Sequence, residues 1–158
     1  MDQQVRIGMV FFYFLTFLMG FMVIVVTWQI FTRFILNDPS IYSEEIAGFL
    51  LIWIGMLGST YALLKKSHIG IDIVTKNFRG RKKTLSEVFI SSVIILFALS
   101  VLVSGGFRLV YFTYSLNQIS PALGIKMAYV YCVVPVSGII MIIFSIDFIK
   151  KSIGNNSD

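Results

Sequence analysis

Few side chains here have the type and spacing that chemistry requires. Glu44 and Glu45 stand side by side after Ser43, and adjacent carboxylates can carry protons or bind cations. His68 and Asp72 stand four residues apart, so on a helix they share a face and could form an orienting pair. No nucleophile or set of metal ligands stands beside His68 and Asp72 in the sequence. Cys132 is the single cysteine, which excludes an intramolecular disulfide and any CxxC redox or zinc site; in its apolar surroundings it reads as a small packing hydrophobe. His68 is the single histidine, which excludes a bis-histidine haem from this chain alone. A membrane phosphotransferase or hydrolase would need clustered carboxylates or a histidine poised as a general base. The chain is therefore not expected to be an enzyme, and no cofactor is expected in it.

The elements that must position these residues follow from composition. Of the 158 residues, 57% are hydrophobic and 13% charged, and the mean hydropathy is +0.86. Soluble domains carry about 25% charged residues, so this chain cannot coat a water-facing surface. A spanning helix needs about 20 apolar residues, which leaves room for four or five spans and no soluble catalytic domain. Charge-free runs cover 7–32, 46–64, 88–107 and 127–146, with a basic loop at 65–87. The alternating polarity of a transmembrane barrel is absent. The prediction is an all-α integral membrane protein, one membrane domain of four transmembrane helices with short interfacial helices. The first run is too long for a signal-peptide core and no small-residue cleavage site follows it before Arg33, so it is expected to remain as a helix.

Orientation comes from the basic residues. Ten Lys and Arg fall on the side of the two termini and the 65–87 loop, against Arg33, Arg108 and Lys126 on the other. The positive-inside rule then places both termini in the cytoplasm. Within the basic loop, Asp72, Lys76, Arg79 and Lys83 are spaced four, three and four, one face of a helix, with Ile71, Val74 and Phe78 on another. Two readings stand: an amphipathic helix whose Lys76, Arg79 and Lys83 meet anionic lipid, or a solvated basic turn, since Gly80 weakens a helix. No nucleic-acid partner is expected.

On the opposite side, Asn37-Asp38-Pro39 reads as a turn in which Asp38 caps a short helix, and Ser43 before Glu44 and Glu45 as a second cap where span two begins. Tyr111, Phe112 and Tyr114 suggest that span three continues past Arg108 as a long tilted helix with its aromatics at headgroup level. Gly48, Gly55, Ser59 and Ala62 form a small-residue stripe along span two that lets another helix approach. Pro135 removes a backbone donor in span four, frees the carbonyl of Tyr131 and favours a kink.

Ion-coupled transporters place ionisable side chains inside the membrane, and a proton-coupled four-helix exporter should carry a carboxylate in its first span. All four runs are free of charge. Glu44 and Glu45 come nearest, where the positive end of the helix dipole accommodates them without any transport role. A four-helix protein with no machinery of its own reads as a subunit: a scaffold, anchor or docking surface. A self-sufficient small homo-oligomeric transporter is the alternative, and would require Glu44 or Glu45 to reach a water-filled cavity.

Several stretches occur together in one order: Arg33, Tyr42-Ser43-Glu44-Glu45, Trp53 and Gly58, His68-Ile69-Gly70-Ile71-Asp72, Ser120-Pro121-Ala122-Leu123-Gly124-Ile125, and Tyr131 through Pro135. From about Ile7 to Lys151 the chain resembles the small, DctQ-type membrane subunit of tripartite ATP-independent periplasmic (TRAP) transporters. The resemblance implies a bacterial inner-membrane complex that takes up organic acids, sialic acid or C4-dicarboxylates. Its partners would be a periplasmic binding protein and a large many-helix subunit that holds substrate and sodium ions and moves as an elevator. The small subunit would brace that scaffold and help present a docking face. Ser43, Glu44 and Glu45 match the family's serine–glutamate–glutamate step, His68 and Asp72 its cytoplasmic-side motif, and Ser120 with Ala122 and Leu123 its second periplasmic motif. Arg33, Glu44, Glu45 and Arg108 would line the periplasmic rim, with Gly55 and Ser59 against the large subunit. Tyr42 stands where the family usually has tryptophan, and Lys126-Met127 where proline and an aromatic are expected.

Overall fold

The computed structural model describes residues 2–65 and 81–154, with side chains from 6 and from 84 onward in the two segments. His68, Asp72, Lys76 and Arg79 lie outside the described residues, and with them the two readings of the basic loop. The helices are α1 (Asp2–Phe34), α2 (Ile41–Leu64), α3 (Arg81–Phe97), a π-helical segment (Ala98–Gly105), α4 (Gly106–Ser115), α5 (Met127–Tyr131) and α6 (Val133–Gly154). Lys83 falls in the first turn of α3. Among the described residues four segments are long and apolar enough to cross a membrane: Arg6–Phe34, Ile41–Leu64, Thr84–Ser115 and Met127–Gly154.

These helices outrun the charge-free runs. Span two begins at Ile41 rather than 46, span three ends at Ser115 rather than 107, and span four reaches Gly154 rather than 146. Hydrocarbon thickness limits the uncharged stretch, but backbone hydrogen bonding continues through the headgroup layer, where charges stay hydrated. The 32-residue third span measures about 48 Å at 1.5 Å per residue, well beyond the ~30 Å hydrocarbon core. Arg108 therefore lies within the helix, as its flanking aromatics suggested.

Local chemistry sets the ends. The last turn of α1 closes with Ile35 N–H on the Phe31 carbonyl at 2.9 Å and Asp38 N–H on that of Thr32 at 3.2 Å. Asn37 takes a left-handed φ of 52°, which asparagine tolerates better than most residues. At the end of α4, Asn117 has φ 49°, its N–H meets the Tyr114 carbonyl at 3.0 Å, and Gln118 N–H meets that of Thr113 at 3.1 Å. That is a Schellman closure.

The chain divides into two compact units. One comprises Met1–Gly58 and Arg108–Val133. In it α1 buries Leu15, Leu18, Val25 and Thr32, positions that recur at three- and seven-residue intervals and make one narrow stripe. The rest of α1 displays Phe12, Tyr13, Phe17, Trp28 and Phe34, as an apolar solvent permits. Exposed hydroxyls are satisfied within the helix: Thr16 and Thr27 donate to the carbonyls of Phe12 and Val23 at 2.8 and 2.7 Å.

The other unit comprises Ser59–Phe107 and Val134–Asp158. Its buried centre is Leu63, Ala98 and Met141, packed by Ile94, Leu102, Ile142 and Phe148. Two glycines allow backbones to meet. A Cβ at Gly138 would stand 2.7 Å from the Leu102 Cβ, and one at Gly106 would stand 2.9 Å from the Pro135 Cδ. Both distances are too short for real atoms, so only hydrogen fits at these sites. Pro135 is the third residue of α6, in a first turn where its missing N–H is not needed. The expected irregularity near Tyr131 takes the form of a break at Cys132, between α5 and α6. The π geometry is visible at Ser104, whose hydroxyl donates to the carbonyl five residues back, Leu99, at 2.9 Å. At the far end of α6, Ser152 donates to Glu87 Oε2 at 2.7 Å, and Lys151 pairs with Asp147 at 2.9 Å.

Candidate functional site

The site begins with the start of α2. Ser40, rather than Ser43 or Asp38, is the N-cap: its Oγ accepts the Ser43 N–H at 3.4 Å, and its carbonyl accepts the Glu44 N–H at 3.4 Å. A cap side chain serves the N–H three residues on, so moving the helix start back to Ile41 moves the cap with it. Ser43 is buried and donates its hydroxyl to the Ser40 carbonyl at 2.9 Å. Glu44 and Glu45 then fall on different sides of the helix. Glu44 is exposed, whereas Glu45 is half-buried.

Glu45 reaches the loop between α4 and α5. Ser120 Oγ donates to Oε2 in a short hydrogen bond. The Ala122 N–H donates to Oε1 at 3.0 Å and the Leu123 N–H to Oε2 at 3.1 Å. Hydrogen bonds to an ionised acceptor are roughly twice as strong as neutral ones, and this carboxylate gathers three of them.

The loop is shaped to supply these donors. Its two strands of chain meet at an isolated antiparallel bridge between Ile119 and Lys126. Ser120 N–H meets the Ile125 carbonyl at 2.9 Å, and Met127 N–H that of Gln118 at 3.0 Å. Inside this closure Pro121 presets φ at the head of the turn. Gly124 N–H returns to the Ser120 carbonyl at 3.0 Å with a φ of +67°, a conformation glycine adopts without strain. Ser120 is 1% exposed and also accepts the Leu123 N–H at 3.2 Å. Lys126 Nζ lies 4.6 Å from the Tyr114 ring centroid, so a cation–π contact ties the far end of the loop to α4.

Of the residues singled out in the sequence, the fold brings Glu45 and Ser120 together. Ser43 supports the start of α2. Arg33 is exposed in the last turn of α1. Arg108 is exposed with its guanidinium 5.5 Å from the Phe112 ring. Gly55 is exposed with open space where a Cβ would stand, and Ser59 is half-buried in the other unit. The residue missed is Ser40; Ala122 and Leu123 belong to the motif named with Ser120, but their role as donors to Glu45 was not foreseen. Ala122 and Leu123 act through main-chain N–H groups, which no residue type announces. Ser-Pro-x-x-Gly is a readable turn signal, and it was the available clue. A carboxylate engaged by three donors is poorly placed to act as a base or to shuttle protons; the arrangement fixes a loop to a helix.

Over residues 22–154 the chain matches the family described as tripartite ATP-independent periplasmic transporters, DctQ component. It is 30% identical over 125 residues to the sialic acid TRAP transporter small permease protein SiaQ of Vibrio cholerae, covering 79% of this chain and 70% of that protein. It is 27% identical over 113 residues to the sialic acid TRAP transporter permease protein SiaT of Haemophilus influenzae, covering 72% of this chain but 18% of that longer protein. A putative TRAP transporter small permease protein of Haemophilus influenzae is 22% identical over 124 residues, 78% of this chain and 75% of that one.

Proposed function

This chain belongs to the DctQ component family of tripartite ATP-independent periplasmic transporters, and from that premise we propose that it braces a large permease subunit during sodium-coupled uptake of an acidic sugar of the sialic acid class. It is a transporter subunit of a bacterial inner membrane rather than an enzyme. The substrate class is supported by the names of two relatives, both sialic acid transporters; a C4-dicarboxylate is the competing substrate. The large partner is supported by the match to a short part of a much longer permease.

The observation that carries the bracing role is the engagement of Glu45 by Ser120, Ala122 and Leu123. The acidic side chain best placed to enter the protein interior is consumed in holding structure. Sodium ions and substrate would then reside in the large subunit. In the orientation set by the basic residues, the Glu45 loop faces the periplasm and both termini face the cytoplasm. There the loop and Glu44 would offer a docking face to a substrate-loaded binding protein, while the 65–87 segment meets anionic lipid.

The test is co-expression with the large permease, gentle extraction and reconstitution. Uptake of a labelled sialic acid should require both membrane subunits, a sodium gradient and the binding protein. Reversing the charge of Glu44 and Glu45 should lower uptake; undiminished uptake at normal expression would count against a docking or assembly role. Flux through this chain alone would replace the scaffold reading with a self-sufficient homo-oligomer.

A further inference from the structure

We infer that the Ser120–Gly124 turn is a carboxylate-binding site in its own right, that Glu45 is its resident ligand, and that its occupancy orders the loop between α4 and α5. The donors and the ligand come from parts of the chain 75 to 78 residues apart, so the two halves of the contact have separate structural origins. The donor half has its own closure: the Ile119–Lys126 bridge, the Gly124 N–H to Ser120 carbonyl bond at 3.0 Å, and the positive φ of Gly124. None of these involves Glu45. Its output is two main-chain N–H groups and a hydroxyl converging on one point. Successive main-chain N–H groups in a turn form a concavity that binds anions. Two oxygens receive three donors, the geometry of a carboxylate rather than a halide.

The binding half is also indifferent to its source. The bonds from Ser120, Ala122 and Leu123 to Glu45 end on its carboxyl oxygens, so any carboxylate delivered to the same place satisfies the same donors. Without one, the Ala122 N–H loses its acceptor and the Leu123 N–H keeps only the Ser120 hydroxyl at 3.2 Å, and a polar group left unmatched there is costly. The turn must then open toward water. Its opening would release Leu116, Ile119 and Ile125, all exposed apolar side chains, from the positions they now hold. Glu45 is accordingly a positioning residue. It acts through the turn, and its contribution is replaceable by a small carboxylate if the chain between α-carbon and carboxyl group is removed.

The experiment is chemical rescue read by hydrogen exchange. It uses the full-length protein in lipid nanodiscs with any co-purifying subunit retained, and does not depend on the transport reading above. In Glu45→Ala, exchange across 116–126 should rise on the order of ten-fold, the factor that corresponds to losing a hydrogen bond to a charged group. Exchange across α1 should be unchanged. Formate or acetate should restore protection at 116–126, while chloride at equal ionic strength should not. Exchange in Glu45→Ala equal to wild type, or raised but indifferent to formate and acetate, would overturn the inference. If Glu45→Ala does not yield folded protein, Glu45→Gln carries the test. Its amide NH2 opposes one of the three donors, so raised exchange that formate cannot reverse is expected, and wild-type protection would overturn the inference.

Discussion

Each unit of the molecule sets a glutamate against a serine far along the chain, and the two contacts do different work. Glu45 takes three donors, two of them from the backbone, and they join its loop to α2. Glu87 takes one hydroxyl, from Ser152 at 2.7 Å, in a unit already joined by the Leu63–Ala98–Met141 cluster and by the contacts at Gly106 and Gly138. The first contact positions a loop; the second adds one bond between helices already in close apolar contact. Lipid offers no hydrophobic force between helices, so steric fit holds the second unit and hydrogen bonding the loop of the first.

The sharpest way to break this contrast is to fill the glycine contacts. Gly138→Ala places a methyl group 2.7 Å from the Leu102 Cβ and should cost about 1–3 kcal/mol, as overpacking does. The expected readout is a lower thermal midpoint in detergent, and Gly138→Leu should give no folded protein. Gly55→Ala serves as the control: open space surrounds it, so the midpoint of the chain alone should not move. Loss of co-purification with the large permease in Gly55→Leu would instead mark that face as an interface.

Next in size is the Glu45 contact. Ser120→Ala should loosen the loop while the two main-chain bonds persist, and Ser120→Thr should restore it. Protease sensitivity confined to 116–126 is the measurement, and cleavage spread evenly over the chain would refute a local role. The smallest effect belongs to Ser152→Ala, which removes one hydrogen bond to a half-buried carboxylate. A cost of about 0.5–1.5 kcal/mol is the general range for such a bond, and the lower end is expected because packing already holds α6. A loss as large as that from Gly138→Ala would reverse the ranking of the two mechanisms.

Much of the fold was legible because a bilayer writes its thickness directly into the chain. The gaps between charges located all four spans, and the aromatics after Arg108 announced the extension of the third. Helix ends were less legible, since capping depends on one serine among several and Ser43 resembles Ser40 in type. Glu45 and Ser120 were both singled out, but not as partners. Two of the three bonds between their segments use main-chain donors, and their separation along the chain carries no periodic trace. The stripe at Gly48, Gly55, Ser59 and Ala62 drew notice because its spacing repeats within one helix. Gly106 and Gly138 sit on different helices, so their complementarity exists only after folding. The π-helical segment had no compositional marker at all, being built from the same Ala, Leu, Ser and Val as its neighbours.

That segment has a consequence for how this subunit can diverge. Residues 98–105 wind more loosely than the α-helix on either side, storing surplus chain inside an unbroken rod. Each residue of a π turn advances the helix by less than the ~100° of an α-helix, so loss of one residue there would let the segment rewind as α-helix and leave everything beyond it facing nearly the same way. Gly106 would keep its bare face toward Pro135. Insertions and deletions, ordinarily confined to loops, thus have an inconspicuous foothold in the middle of a transmembrane span, where one residue more or fewer is absorbed without re-indexing one half of the helix against the other.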